Sequence, residues 1–251
     1  MKSMSAMIDI GNVSMQFIME QERTNTLKEY LVKLVRRNLR FSSFTALDGV
    51  SFSVNRGESV ALIGKNGSGK STMLKIIAGV MDATAGTVRV GGSIAPLIEL
   101  GAGFDPDLTG RENVFLNGAL LGHRHAYMQQ NYDSIVEYAE LEQFIDVPVR
   151  SYSSGMIARL GFSIATHVQA DILVVDEVLA VGDYNFQQKC YGTMERLLAQ
   201  GKTLLFVSHD TEMVKKLCQR AIWLNHGHVM ADGPATQVCD AYLDWMKGNE
   251  K

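Results

Sequence analysis

Two spacings of apolar residues divide this chain. Alternating or continuous apolar runs mark strands at residues 7–19, at 45–63 and at Thr87–Val90, then again at Ile172–Val175, Thr203–Val207 and Ala221–Leu224. Asp48-Gly49 and Asn55-Arg56-Gly57 read as turns, and Gly86 and Gly91-Gly92 bound the Thr87–Val90 strand. From Gly110 to His167 the spacing becomes helical, most clearly over Asp133–Leu141 and Gly155–Thr166. Helical segments also separate the later strands. Strands alternating with helices predict an α/β domain with a largely parallel sheet, because parallel strands need crossover connections. The helical middle, roughly residues 110–170, reads as an insertion between two sheet-forming parts of a single domain, 1–251.

Residues 20–44 depart from this pattern. Thr26-Leu27-Lys28-Glu29 fits a capping box, and Leu27, Tyr30, Leu31, Leu34 and Val35 line one face of a helix. Lys28, Lys33, Arg36, Arg37 and Arg40 occupy the other face and the C-terminal flank. Two readings stay open. The helix packs on its own domain, its cations suiting the C-terminal end of the dipole, or it is a basic amphipathic helix placed against a membrane or a membrane partner.

The bulk properties are those of an ordinary globular chain, 46% hydrophobic and 20% charged. A net charge of −3 gives no overall basic field to argue for nucleic acid. The three cysteines, Cys190, Cys218 and Cys239, lack metal-ligand spacing and read as reduced, buried small residues. The N-terminus has no secretory apolar core, and no run of about 18 apolar residues appears, so the chain is expected to span no membrane by itself.

The chemistry begins at Gly64-Lys65-Asn66-Gly67-Ser68-Gly69-Lys70-Ser71, which fits the phosphate-binding P-loop. The apolar run Glu58–Ile63 precedes it, and a helical segment from Thr72 to Ala78, ending at Gly79, follows. That order aims backbone N–H groups and a helix N-terminus at phosphate. Lys70 would reach the β- and γ-phosphates of a nucleotide, and Ser71 would hold Mg²⁺. Downstream, Ile172–Val175 runs into Asp176-Glu177, a Walker B pattern in which Asp176 supports the metal shell and Glu177 orients or deprotonates the attacking water. Tyr152-Ser153-Ser154-Gly155-Met156 opens a helix and offers a second set of N–H donors to an anion. The pairs in His123-Arg124-His125 and His226-Gly227-His228 lack a third metal ligand nearby and read as solvated turns.

The ordered motifs resemble the ATP-binding subunits of ATP-binding-cassette (ABC) transporters: the P-loop, the serine–glycine signature, Asp176-Glu177, the tract Val178–Asp183 at the D-loop position, and Val207-Ser208-His209-Asp210 with His209 at the switch histidine. The resemblance covers nearly the whole chain. It implies a P-loop NTPase fold with a RecA-like core, an antiparallel β subdomain and a helical subdomain. It also implies a homodimer enclosing two ATP molecules, each held by one subunit's P-loop and the other's signature. Gly64, Asn66, Gly67, Ser68, Gly69, Lys70, Ser71 and Thr72 would then hold ATP in cis, while Ser153 and Gly155 act across the dimer, and Asp183, at the D-loop position, also counts among the nucleotide-binding residues. Glu177 and His209 would be catalytic, and Ser71, Asp176 and Glu99 would serve Mg²⁺.

Glu99-Leu100-Gly101-Ala102-Gly103-Phe104 and Leu108-Thr109-Gly110-Arg111-Glu112-Asn113-Val114 look like the polysaccharide exporters of the O-antigen, capsule and teichoic acid type, and the 20–44 insertion is similar to one in that group. The expectation is a peripheral subunit at the cytoplasmic face of the inner membrane, bound to two copies of a permease and driving export of a lipid-linked glycan. A soluble ABC ATPase of DNA repair or translation, and a non-catalytic nucleotide-gated scaffold, are the alternatives. The Q-loop glutamine is absent, with Glu99 or Leu100 in its place, and the signature carries Tyr152, Ser154 and Met156 where the general form has leucine, glycine and glutamine. For adenine stacking the family pattern points to Phe17, with Phe44 as the alternative. Some relatives add a C-terminal β-sandwich that binds the glycan. Too little sequence follows Ala241–Met246 for one, so direct sugar recognition is not expected of this subunit.

Overall fold

The computed structural model describes residues 6–20, 41–97, 100–167, 169–176 and 182–249. Two sheets carry the strands. In the first, β1 (Ala6–Glu20) pairs antiparallel with both β2 (Phe41–Asn55) and β4 (Ala85–Val90). The second has six strands in the order β5 (Ile94–Leu97), β6 (Ile172–Val175), β7 (Thr203–Val207), β3 (Ser59–Ile63), β8 (Arg220–Asn225) and β9 (His228–Pro234). All neighbours in it are parallel except the terminal β8–β9 hairpin. The helices are α1 (Lys70–Ile77), α2 (Gly110–Leu120), α3 (His125–Ala139), α4 (Ser154–His167), α5 (Tyr184–Ala199), α6 (Thr211–Leu217) and α7 (Ala235–Gly248).

The central strands are apolar throughout because both faces are covered, as parallel sheets require. Alternate residues feed two cores. Val60, Leu62, Ile172, Val174, Leu205 and Val207 pack with α1 and with the antiparallel sheet through Ile8, Ile10, Val13 and Val50. Their neighbours Ala61, Ile63, Leu173, Val175, Leu204 and Phe206 face the other core, with residues of α3, α4, α5 and α7. Each fully buried aliphatic or aromatic side chain contributes roughly 1.5–3 kcal/mol of burial free energy. The cysteines lie buried in the helix-side core, and burial pushes the Cys190 thiol up to about 12.

Several sequence expectations change. Asp48-Gly49 is not a turn but part of β2. Between Val13↔Val50 and Met15↔Leu47 the second strand advances one residue more than the first, so Asp48-Gly49 forms a bulge. Gly49 takes φ 63° there, and its N–H donates to the Ser14 hydroxyl at 2.9 Å. The 20–44 insertion is shorter than expected, since the β1–β2 ladder continues to Glu20↔Phe41. Residues 41–44 are therefore strand, and the amphipathic helix with its cations lies outside the described residues. The helix expected over Asp133–Leu141 stops at Ala139, where Glu140 adopts the left-handed conformation. Strands β5 and β9 went unpredicted, β5 because Pro96 interrupts its pattern.

The Leu108–Val114 motif builds the start of the helical subdomain. Thr109 and Glu112 make a reciprocal capping box at α2. Asn113 is fully buried, donates to the carbonyls of Asp105, Leu108 and Thr109, and accepts from the Asp105 N–H at 2.7 Å. Arg111 forks onto Asp146 at 2.7 and 3.1 Å. These residues hold a loop shut and are occupied by structural work.

At the opposite end of the strands, Arg220 ties the two sheets together. It forks onto Asp232 at 2.5 and 2.6 Å and donates to Glu58 at 3.1 Å and to the Ser53 carbonyl of β2 at 2.9 Å. Arg220→Gln leaves two half-buried carboxylates without their cation, an expected loss of about 2 kcal/mol. A drop in the urea midpoint with an unchanged m-value is the result expected; an unaltered midpoint would show that the two sheets do not depend on this tie.

Candidate nucleotide site

The fully buried strand β3 carries the chain to the C-terminal edge of the parallel sheet, where open α/β sheets bind ligands. Gly64 follows at φ 146°, and a Cβ there would run into the Leu224 carbonyl oxygen and the Ser68 hydroxyl, the latter at 2.7 Å. The first glycine of the motif thus serves close packing on β8. Gly69, at φ 106°, is the N-cap of α1, and a Cβ on it would lie 2.6 Å from the Ala46 carbonyl oxygen. Gly67 has open space around it.

A cavity of about 340 Å³ opens beside this loop. Asn66, Gly67, Gly69, Lys70, Ser71 and Thr72 form its phosphate-loop wall, with Asp176 just after β6, Val207 of β7, and Phe44 and Ala46 of β2 completing the lining. Lys70 is buried, its ammonium donating to the Gly64 and Lys65 carbonyls at 2.8 and 3.0 Å. That contact spans the loop and holds its curve. The first turn of α1 receives no side-chain cap and no acid, leaving its amide dipoles to an anion from outside. The buried Ser68 hydroxyl makes no hydrogen bond among the described residues. Lys70, the helix-start amides without a side-chain cap, the Ser71 hydroxyl and the Asp176 carboxylate at one cavity match the donor set of a Mg²⁺–nucleoside triphosphate.

The remaining sequence candidates fall at different distances from this cavity. Phe44 lines it and is half exposed. Phe17 stands directly opposite Phe44 in the β1–β2 ladder but does not line the cavity. His209 is exposed two residues beyond the cavity-lining Val207, and Asp210 beside it caps α6. Ser153 and Gly155 sit at the start of α4, away from the cavity, with the Ser153 hydroxyl accepting from the Met156 N–H at 3.2 Å. Asp183 caps α5 and pairs with Arg159 at 2.6 Å. Glu177 and Glu99 lie outside the described residues.

The unusual signature residue Tyr152 turns inward. Its hydroxyl donates to the Phe144 carbonyl at 2.7 Å, and burial pushes its phenol up to about 12. His226 and Gly227, at φ 46° and 78°, form the two-residue β8–β9 turn. His125 instead begins α3 and stacks on Phe115. Among the described residues no group of three or more His, Cys, Asp or Glu side chains is placed to hold a metal.

A second cavity, about 390 Å³, lies between α2, α4 and the sheet. Leu100, Pro96, Leu121 and Ala165 line it, and Val80 and Leu120, both strongly exposed, stand at its rim.

This loop, cavity and sheet define a P-loop nucleotide-binding cassette, and residues 47–180 match the ABC transporter family. The chain belongs to that family. It is 44% identical over 245 residues to the O-antigen export system ATP-binding protein RfbB of Klebsiella pneumoniae, an alignment spanning 97% of this chain and all of that one. It is also 39% identical to the teichoic acids export ATP-binding protein TagH of Listeria monocytogenes, over 96% of this chain and 70% of that one. Among solved structures, a dimeric ATP-binding cassette in a post-hydrolysis state with ADP and Pi superposes with a TM-score of 0.73 at 23% identity, covering 91% of this chain and 99% of the other.

Gly69→Ala would press a Cβ on the Ala46 carbonyl at a backbone angle that side chains rarely adopt. Nucleotide affinity is expected to fall at least tenfold, read by titration with a fluorescent ATP analogue. Wild-type affinity in the variant would show that the loop tolerates another shape.

Proposed function

We propose that this chain is the ATP-hydrolysing subunit of a transporter that exports a lipid-linked polysaccharide across the cytoplasmic membrane. The cavity that brings Lys70, Ser71 and Asp176 together carries the ATPase reading. The similarity to an O-antigen export subunit over that protein's full length, and to a teichoic acid export subunit over 70% of its length, supports the choice of cargo.

The α1 amides and Lys70 bind the phosphates, Phe44 rather than Phe17 stacks on adenine, and Ser71, Asp176 and Glu99 are the residues that would hold Mg²⁺. When bound, the metal would neutralise negative charge on the phosphates. Glu177 takes a proton from the attacking water, and His209 contacts the γ-phosphate. Two copies associate so that Ser153 and Gly155 of one meet ATP held by the other, with Asp183 close to that junction. No helix among the described residues is long and apolar enough to cross a membrane. The subunit sits peripherally at the cytoplasmic face, on two permease subunits. The apolar cavity between α2, α4 and the sheet offers such a permease an exposed greasy surface.

Glu177→Gln should abolish turnover and keep ATP binding, because binding rests on the loop and water activation on the carboxylate. Hydrolysis within a few-fold of wild type would remove Glu177 from the role of base. The dimer is tested by mixing Lys70→Ala with Ser153→Arg subunits, each inactive alone. A mixed dimer has one doubly damaged and one intact site, so regained activity supports action in trans. The cargo is tested in cells lacking the native subunit. Replacing Lys33, Arg36, Arg37 and Arg40 by Gln should preserve ATPase activity and lower glycan export, since each cation contributes about 1 kcal/mol near an anionic membrane surface. Unchanged export in a stably expressed variant would leave these four cations with no part in export.

A further inference from the structure

The last helix reaches the phosphate loop from outside the cavity. The Lys65 ammonium lies 4.9 Å from the centre of the Trp245 ring, in the final turn of α7. Trp245 is held from two sides. Its ring meets that of Trp223 edge-on at 5.3 Å, and Trp223 meets Tyr242 at 5.6 Å. The Asn249 side-chain amide donates to the Trp245 carbonyl at 2.8 Å and closes the end of α7. Trp223 is buried on β8, level with Ile63, the residue from which β3 enters the loop. Lys65 itself does not line the cavity.

The main chain of Lys65 is a junction within the loop. Its carbonyl accepts from the Lys70 ammonium at 3.0 Å and from the Ser68 N–H at 3.1 Å. An ammonium has three donors, and Lys70 directs two of them at the Gly64 and Lys65 carbonyls. Reaching two phosphates takes two of the three, so at least one carbonyl bond is given up as ATP binds. The contact between Lys65 and Trp245 uses neither the Lys70 donors nor the phosphates, and it outlasts that exchange. We propose that Trp245 is a positioning residue for the phosphate loop. Its ring holds the Lys65 ammonium, and this keeps the Lys65 carbonyl and the turn it closes with Ser68 in place while Lys70 turns to ATP. That role rests on the reading above that Lys70 binds phosphate. Tryptophan suits the task because its face attracts a cation more strongly than that of tyrosine or phenylalanine.

The test compares Lys65→Met, Lys65→Arg, Trp245→Leu, Trp245→Phe and the Lys65→Met/Trp245→Leu double variant in the full chain, with ATP in EDTA for affinity and Mg²⁺-ATP for turnover. Lys65→Met and Trp245→Leu should each weaken ATP binding and raise KM about three- to fivefold, with kcat within about twofold, because neither side chain lines the cavity. Lys65→Arg should stay near wild type, and Trp245→Phe should fall in between. The double variant should bind no more weakly than the worse single one. The chain has two tryptophans. Trp223→Phe therefore leaves Trp245 as the sole emitter, and it forfeits no hydrogen bond, because the Trp223 Nε1 has no partner among the described residues. In that background Lys65→Met should change the Trp245 emission, and unchanged emission would overturn the proposal. This emission and Trp245→Phe carry the test if Trp245→Leu fails to fold. Unchanged ATP affinity with a lowered urea midpoint would reduce the contact to a stabilising one and overturn the proposal too. So would multiplying effects in the double variant, or a weak Lys65→Met beside a silent Trp245→Leu, the mark of a lysine acting on ATP by its charge alone. Wild-type affinity in Lys70→Ala would strike the reading of Lys70 alone. The non-additivity of Lys65 and Trp245 would still report the contact.

Discussion

Everything at the nucleotide site follows from one backbone contact that leaves no room for a side chain, that of Gly64 against the Leu224 carbonyl. It lets the end of β3 lie flush on β8 before the loop curls back into α1. The Ser68 carbonyl then accepts from the Gly227 N–H at 3.0 Å, and the Gly227 carbonyl accepts from the Asp48 N–H at 3.0 Å. The phosphate loop, the β8–β9 turn and the bulge in β2 are thereby linked by main chain alone. This explains why the bulge matters. The extra residue in β2 brings Ala46 and Phe44 to the cavity and puts the Ala46 carbonyl against Gly69.

Main-chain construction also accounts for how far the sequence can diverge on this fold. Structures only 22–23% identical to this chain superpose with TM-scores of 0.73 to 0.75. Such divergence leaves the fold intact because much of it rests on main-chain hydrogen bonds and on glycines at tight approaches. The two cores ask only for apolar residues of suitable size on alternate positions.

The legible parts of the sequence were the local ones. The P-loop and the strand ending at Asp176 announce themselves because spacing along the chain equals geometry in space. The bulge did not, since Asp48-Gly49 supplies the left-handed residue that a turn and a bulge both need. Phe17 and Phe44 could not be separated, because the ladder sets them opposite each other across a long insertion and only the neighbouring loop decides which ring borders the cavity. Trp245 was missed for a related reason. It belongs to the last helix and Lys65 to the phosphate loop, and nothing in periodicity or composition pairs them. A lone tryptophan on a half-buried helix face looks like core until the fold brings a lysine to it.

The residues that make this chain look like a polysaccharide exporter are occupied elsewhere than at the phosphates. Thr109, Glu112 and Asn113 close a loop, Arg111 grips Asp146, and Tyr152 fastens to Phe144. Together they fix how the helical subdomain is built, and that subdomain carries both Ser153 and a wall of the apolar cavity beneath Leu120 and Leu121. Hydrolysis needs only that α4 arrive at the right place. A permease that bears on the surface around α2, as proposed above, would need that surface to have a particular shape. Specialisation within a shared reaction is therefore expected to appear in the packing of this subdomain rather than in the cavity, and that is where the distinctive motifs of this chain fall.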